Sequence, residues 1–382
     1  MSWKKVKLRE VCKSISDGDH QPPPKATSGI PFVTIANIKD NKFDFTNTMF
    51  VSREYYEKLD SKRKAQEGDI LYSVVGSFGI PVYIDNECEF VFQRHIAILR
   101  PNKEKILPEF LYYTMLSRDF YMRADAVALG AAQRTVSLTS LRAMEIELPP
   151  IRIQENIVKA LKPYDQLIEN NKKQIKLLEE AAERLYREWF VDLHFQGYED
   201  VKIVDGVPKG WLDGTVGDIA LFKRGKTITK AQIHKGNVPV VAGGLEPAYY
   251  HNVANTVAPV ITISGSGVNA GFARLYNVDV FASDCSFVDS QTTPYLFWVY
   301  CFIRDSKAKL DSLQKGAAQP HVYAKDINAL KIYIPTDDIL DRFCKVVAPY
   351  FGKIKNLQRQ NDLLLQARDR LLPRLMSGEV EV

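Results

Sequence analysis

Three stretches of this chain carry residue types at spacings suited to holding phosphate or meeting a nucleobase. The first runs from Ala220 to Gly225-Lys226-Thr227 and fits a relaxed phosphate-loop pattern. That chemistry needs glycine-rich backbone to cradle phosphates and a helix directly after it. Here Leu221, Phe222 and Arg224 are bulky, and residues 228 to 237 show no apolar helical period, which argues against a nucleotide site. Lys223, Arg224, Lys226, Lys230 and Lys235 fall within thirteen positions, and the cluster is expected to be either a DNA-facing loop or a solvated hairpin. The second stretch, Gly265-Ser266-Gly267-Val268-Asn269-Ala270, resembles a dinucleotide fingerprint, but that fingerprint must open a helix. Gly271 to Tyr276 instead has the pattern of a strand, so a hairpin turn is expected, from which Ser264, Ser266, Asn269 and Arg274 could touch DNA. The third is a pair of words, Gln133-Arg134 and Gln319-Pro320-His321. Gln can bond adenine and Arg can bond guanine in bidentate fashion. The shared Gln equally suits a structural hydrogen bonder, which makes Arg134 and His321 the better base-reading candidates. Lys25, Arg94, Lys223, Arg224 and Lys226 are candidate phosphate contacts, which would add affinity and salt dependence without specificity.

Other chemistries find little support. The five cysteines, Cys12, Cys88, Cys285, Cys301 and Cys344, are scattered without a CxxC pair, which argues against disulfide framework and thiolate metal site alike. The six histidines show no ligand spacing, so no metal is expected. Leu148-Pro149-Pro150-Ile151 lacks the flanking Asp/Asn and aromatic residue of an amino-methyltransferase motif. No Ser–His–Asp arrangement is supported by sequence alone. The chain opens without an apolar signal segment and has no run of about 18 apolar residues. A cytoplasmic protein with no membrane partner is expected. The net charge of +5 is a mild excess, weaker than that of a small DNA-binding module.

The elements that must position these residues come twice. Gly130-Ala131-Ala132-Gln133 recurs as Gly316-Ala317-Ala318-Gln319, an offset of 186. At the same offset Leu141 matches Ile327, Leu148-Pro149 matches Ile334-Pro335, Pro163-Tyr164 matches Pro349-Tyr350, and Arg184-Leu185 matches Arg370-Leu371. Upstream the offset drifts to 189, pairing Gly76 with Gly265 and Phe92 with Phe281, and Trp3 pairs with Trp211. Loop insertions produce such drift. With 382 residues, more than one core is expected. Each copy opens with mixed strand and helix. Residues 31–35, 69–74 and 259–263 are β-rich runs, and residues 107–123 and 293–313 are expected to be amphipathic helices.

Each copy closes with a long helix. Ile157, Leu161, Tyr164, Ile168, Asn171, Ile175, Leu178, Ala182, Leu185 and Trp189 follow a 4-3 spacing, the signature of a helix wrapped on a partner. The second seam is Phe343, Val347, Tyr350, Ile354, Leu357, Asn361, Leu364, Arg368, Leu371 and Leu375, with Asn361 and Arg368 as defects. Packing the two seams on each other would make Asn171 and Asn361 the polar, register-fixing positions; the alternative is that each helix packs on its own domain. Pro163 and Pro349 are expected to begin or kink their helices. From Pro163 to Trp189 such a helix gives a rod of about 40 Å. Half-sites on one face of a duplex lie about 34–36 Å apart, so a rod of that order could hold two readers there. Unlike readers on one chain imply an asymmetric, bipartite site. A coiled-coil protein-interaction scaffold without nucleic-acid binding is the competing reading.

On these residues the chain resembles the specificity subunit of type I restriction–modification systems. That family places a Gly-x-x-Gln word before a helix and strand, then a Pro corner and Gln-x-x-Ile. This sequence has Gly130 to Gln133, Leu148-Pro149-Pro150 and Gln154-Glu155-Asn156-Ile157, with Ile153 where the family often has Glu. The ending Leu371-Leu372-Pro373-Arg374-Leu375-Met376-Ser377-Gly378-Glu379 is also typical. The resemblance implies an α+β chain: target-recognition domains at 1–150 and 211–336, spacer helices at 151–190 and 337–382, and a linker at 191–210. The two helices would form an antiparallel coiled coil with pseudo-two-fold symmetry. It implies a non-catalytic subunit that binds double-stranded DNA and is gripped by modification subunits, expected to number two. Restriction subunits would join through these. S-adenosylmethionine, ATP and Mg would belong to those partners, with no cofactor on this chain.

Overall fold

The computed structural model describes residues 3–20, 22–131, 133–316 and 320–381. It divides into two compact units. The first holds residues 1–168 and 362–382, and the second residues 169–361.

The units repeat one topology. In the first, an antiparallel sheet orders its strands Cys12–Asp17, Ile96–Pro101, Ile70–Ser73, Pro81–Tyr83. In the second the order is Lys223–Arg224, Cys285–Asp289, Val260–Ser264, Ala273–Tyr276. Beside each lies a three-stranded sheet, centred on Ile30–Val33 or Val238–Val241, with one antiparallel and one parallel neighbour. Each unit is closed at its base by an antiparallel pair: Lys4–Lys7 with Glu145–Leu148, and Leu212–Thr215 with Lys331–Ile334. Leu71, Ile98 and Ile261, with Val288, sit on these sheets at 0–1% exposure, as the apolar centres of strands covered on both faces.

Registers correct two of the sequence pairings. Gly76 N–H donates to Arg134 O, and Gly267 N–H donates to Pro320 O, so the partner of Gly76 is Gly267 rather than Gly265. Val33 pairs with Phe92 and Val241 with Ala282, so Phe92 corresponds to Ala282 rather than Phe281. Short insertions inside strands and turns hid these shifts. The expected helix over 107–123 is two helices, Pro108–Leu116 and Arg118–Val127, and that over 293–313 is Leu296–Asp305 and Lys307–Ser312. The first break falls at Ser117, whose hydroxyl accepts from Phe120 N–H as an N-cap.

The two long helices are Ile151–Phe190 and Asp337–Met376, 40 residues each, or about 60 Å of helix. Pro163 and Pro349 lie well inside them with exposed rings, so neither begins its helix as the sequence allowed. The first helix starts instead at Ile151, after Pro150. There Gln154 is fully buried: its Oε1 accepts from Leu107 N–H at 2.8 Å and its Nε2 donates to Pro149 O at 2.9 Å. That is the structural work of the Gln-x-x-Ile corner. In the second copy buried Leu340 takes the position.

The helices pair antiparallel. In the second unit Asn171 Nδ2 donates to Asn361 Oδ1 at 2.9 Å, while Trp189 lies 5.7 Å from Phe343, ring to ring. In the first unit Arg368 binds Asp165 at 2.6 Å, and Ile157 and Leu161 share a core with Leu372 and Leu375. Both seam defects are therefore satisfied by polar partners. Asp165 also accepts from the Tyr113 hydroxyl at 2.6 Å. Burial draws the Arg368 pKa down, but the Asp165 and Asp369 carboxylates together outweigh it and the net shift is upward. Ile168, Ile354 and Leu357 are buried, and Ile175, Leu178, Leu185, Leu364 and Leu371 half-buried. Of these, Ile175, Leu178, Leu185 and Ile354 pack in the second unit's core and Leu371 in the first unit's.

The connecting segment is not plain coil. Ile203–Val204 and Val207–Pro208 form a small hairpin, and Phe195 is buried in the second unit's core.

Candidate nucleic-acid interface

In each unit, backbone hydrogen bonds tie three segments into one ridge. In the second unit Lys226 N–H donates to Ala282 O (2.9 Å) and Gly225 N–H to Cys285 O (2.8 Å). The same stretch reaches the next turn, where Gly265 N–H donates to Asp284 O (3.1 Å). That turn meets the third segment through Val322 N–H to Gly265 O (3.1 Å) and a bridge between Ser266 and His321. Lys226, Ser266 and His321 are thus brought together. Ser266 is not free, because its hydroxyl donates to Asp284. The His321 ring stacks on half-exposed Tyr323, centroids 5.9 Å apart. Gln319 lies outside the described residues.

The first unit builds the same ridge from different side chains. Asp19 N–H donates to Phe92 O (2.8 Å), Val74 N–H to His95 O (2.9 Å), and Val136 N–H to Val74 O (2.8 Å). Arg94 and Gln133 are exposed along it, and Gln133 Nε2 lies beside Gly76. Arg134 is exposed but held: it pairs with Asp125 at 2.8 Å and lies 5.9 Å over Phe78, which stacks on Tyr121. A guanidinium fixed by an aromatic face and a carboxylate offers its remaining donors in a set direction. By backbone position the counterpart of His321 is Thr135, and that of Arg134 is Pro320.

The phosphate-loop word is a strand edge. Lys223–Arg224 pairs with Ser286 and Phe287, and a single 3-10 turn, Lys230–Gln232, comes after it. Gly225 is required by close approach, since a Cβ there would stand 2.2 Å from Ser283 O. The fingerprint-like word is a hairpin turn, Gly267–Asn269, before Ala273–Tyr276. Asn269 ends that turn, accepting from Phe272 N–H through its backbone. Arg274 is turned aside: it reaches Leu245 O at 2.8 Å and Glu246 at 3.4 Å and lies over Tyr276. Lys25 is exposed next to the three-stranded sheet, away from the ridge bonds. Among the described residues Lys25, Arg94, Lys223, Arg224 and Lys226 take part in no ion pair. No group of three His, Cys, Asp or Glu suited to a metal ion occurs among them, and no helix is long and apolar enough to cross a membrane.

A family model for the type I restriction–modification DNA specificity domain matches residues 1–180 and again 208–364, so each match takes in one copy of the ridge. The chain belongs to that family. This specificity chain is 27% identical over 305 residues to the MjaIX specificity subunit of Methanocaldococcus jannaschii, covering 73% of this chain and 71% of that one. It is 22% identical over 469 residues to the HindI specificity subunit of Haemophilus influenzae, covering 99% of both. The crystal structure of a type I S subunit from M. genitalium shares its fold, with a TM-score of 0.55 and 18% identity over 98% of this chain and 96% of that one. Against this background the specificity chain shows two features its sequence hid. The first is the Phe78–Tyr121 support under Arg134, whose members lie far apart in sequence. The second is the Ser16–Asp19 loop, which carries no recognisable motif.

Proposed function

We propose that the specificity chain reads an asymmetric, bipartite sequence in double-stranded DNA, one part with each ridge, and delivers partner catalytic subunits to it. The single observation carrying this reading is the repeated ridge: one backbone framework presents unlike side chains, Arg94, Gln133 and Arg134 in one copy and Lys226, Ser266 and His321 in the other. Identical scaffolds with different tips suit two different base sequences, since base edges are told apart by donor and acceptor pattern.

Catalysis, S-adenosylmethionine, ATP and Mg are assigned to the partners, in the cytoplasm. Modification subunits would grip the outer faces of the long helices rather than their seams. In the first unit Leu167 and Leu363 are 51% and 56% exposed, and in the second Leu177 is 63% exposed. Exposed leucines on a helix already buried along one face suit a protein partner.

The test is enrichment of random duplexes by the complex with its modification subunits. A motif in two separated parts is expected. Failure to enrich any such motif overturns the reading.

A further inference from the structure

The loop leading into the ridge has opposite charge in the two units. Ala97 pairs with Asp17 and Ile98 with Ser16, while Ser286 pairs with Arg224 and Phe287 with Lys223. Both loops then pass a glycine pressed against backbone: a Cβ on Gly18 would stand 2.1 Å from Phe92 O, and one on Gly225 2.2 Å from Ser283 O. Asp19 N–H and Lys226 N–H complete the match by donating to Phe92 O and Ala282 O. Residue for residue, Ser16-Asp17-Gly18-Asp19 in the first unit stands where Lys223-Arg224-Gly225-Lys226 stands in the second.

The carboxylates of the acidic loop already have side-chain partners. Asp17 lies 3.0 Å from His20, and Asp19 accepts from the Tyr55 hydroxyl and lies 3.9 Å from Arg63. The basic loop has no such partners: its three cations are exposed and in no ion pair among the described residues. Its glycine lays the loop flat on the strand below, and Lys226 joins directly to the ridge through Ala282.

We propose that this loop position grips the DNA backbone in the second unit only, so that the two half-sites are held unequally: Lys223, Arg224 and Lys226 anchor one, and Ser16 to Asp19 contribute no phosphate contact to the other. The proposal rests on the DNA-reading function given above. Each cation on a phosphate releases counterions and contributes about −0.9 to the slope of log affinity against log salt.

The experiment compares the complex of the full chain and its modification subunits with the same complex carrying Lys223→Gln, Arg224→Gln and Lys226→Gln. Binding to the enriched duplex and to a random duplex is measured across a salt series, with hydroxyl-radical footprints on the enriched one. The magnitude of the salt slope is expected to fall by about 2 to 3, affinity for both duplexes to fall alike, and backbone protection to fade over one half-site alone. Lys230→Gln with Lys235→Gln, outside the loop, is expected to leave the slope nearly unchanged. An unchanged slope in the triple variant, with two-part recognition intact, overturns the proposal while the reading of function stands. So does an equal fall in the Lys230/Lys235 control, a loss of protection over both halves, or a changed base preference. A wild-type complex with no duplex affinity overturns both.

Discussion

At the scale of single residues, burial decides which side chains have chemistry to offer. Burial pushes the thiol of Cys12 up to about 12, with Asp69 adding to the effect, and that of Cys285 up to about 12. Cys344 rises to about 11, again chiefly by burial. A raised thiol pKa means a protonated, unreactive sulfur below it; at pH 8 Cys344 is thiolate in roughly one part per thousand. Alkylation of the folded chain at pH 8 should therefore be slow at these three positions and fast only in denaturant, read by mass spectrometry. Rapid native labelling of Cys285 would contradict its place in the core. The Asn171–Asn361 bond makes a second residue-scale prediction. Either Asn→Leu change alone strands the other amide in a buried seam and should cost about 1–3 kcal/mol. The double change to Leu removes both polar groups and should regain most of that loss, shown by denaturation midpoints in a double-mutant cycle. Simple addition of the two single losses would show that the pair does not act as a unit.

At the scale of elements, the long helices owe their stability to packing rather than to propensity, so a weak helix former on the solvent face is a correctable cost. Gly352 lies inside the second long helix, and a Cβ there would meet nothing within 4 Å. Gly352→Ala should raise stability by about 0.5–1 kcal/mol, measured by denaturant unfolding, with duplex binding unchanged. A loss of stability would mean that this face is covered. The helices were also the most legible elements, because a 4-3 apolar spacing sustained over ten positions rarely arises except along a helix seam. Ile168, Ile354 and Leu357 are buried where that spacing put them, and even the polar pair was visible as gaps in the seam. The ridges were legible only in part. A repeated four-residue word located their third segment, but the strand ending at Ser73 and the turn after it run at an offset of 191 rather than 189, which puts Gly76 opposite Gly267, two residues beyond the glycine the sequence suggested. The acidic Ser16–Asp19 loop left no trace, since its likeness to Lys223–Lys226 lies in backbone bonds and a close-packed glycine while its side chains share nothing.

At the scale of the whole molecule, repetition makes each reader separable. Each unit has its own apolar core, one containing Ile70, Leu99 and Leu141, the other Ile261, Val288 and Ile327. Each recognition segment also begins and ends on one antiparallel pair, Lys4 opposite Leu148 in the first and Leu212 opposite Ile334 in the second. Segment ends that lie side by side, about 5 Å apart as strand neighbours are, can accept a different insert without moving the long helices. Exchanging residues 212–334 for the matching segment of a relative should therefore give a folded chain that still assembles with its modification subunits. Duplex enrichment should then return a site in which one part is new and the other is that of the parent. If both parts change, the readers are coupled through more than the helices. If neither changes, base reading does not reside in the ridges. A chimaera that enriches one old and one new part would locate sequence choice in each unit separately, because the exchanged segment holds every described ridge residue of its unit and none of the other's.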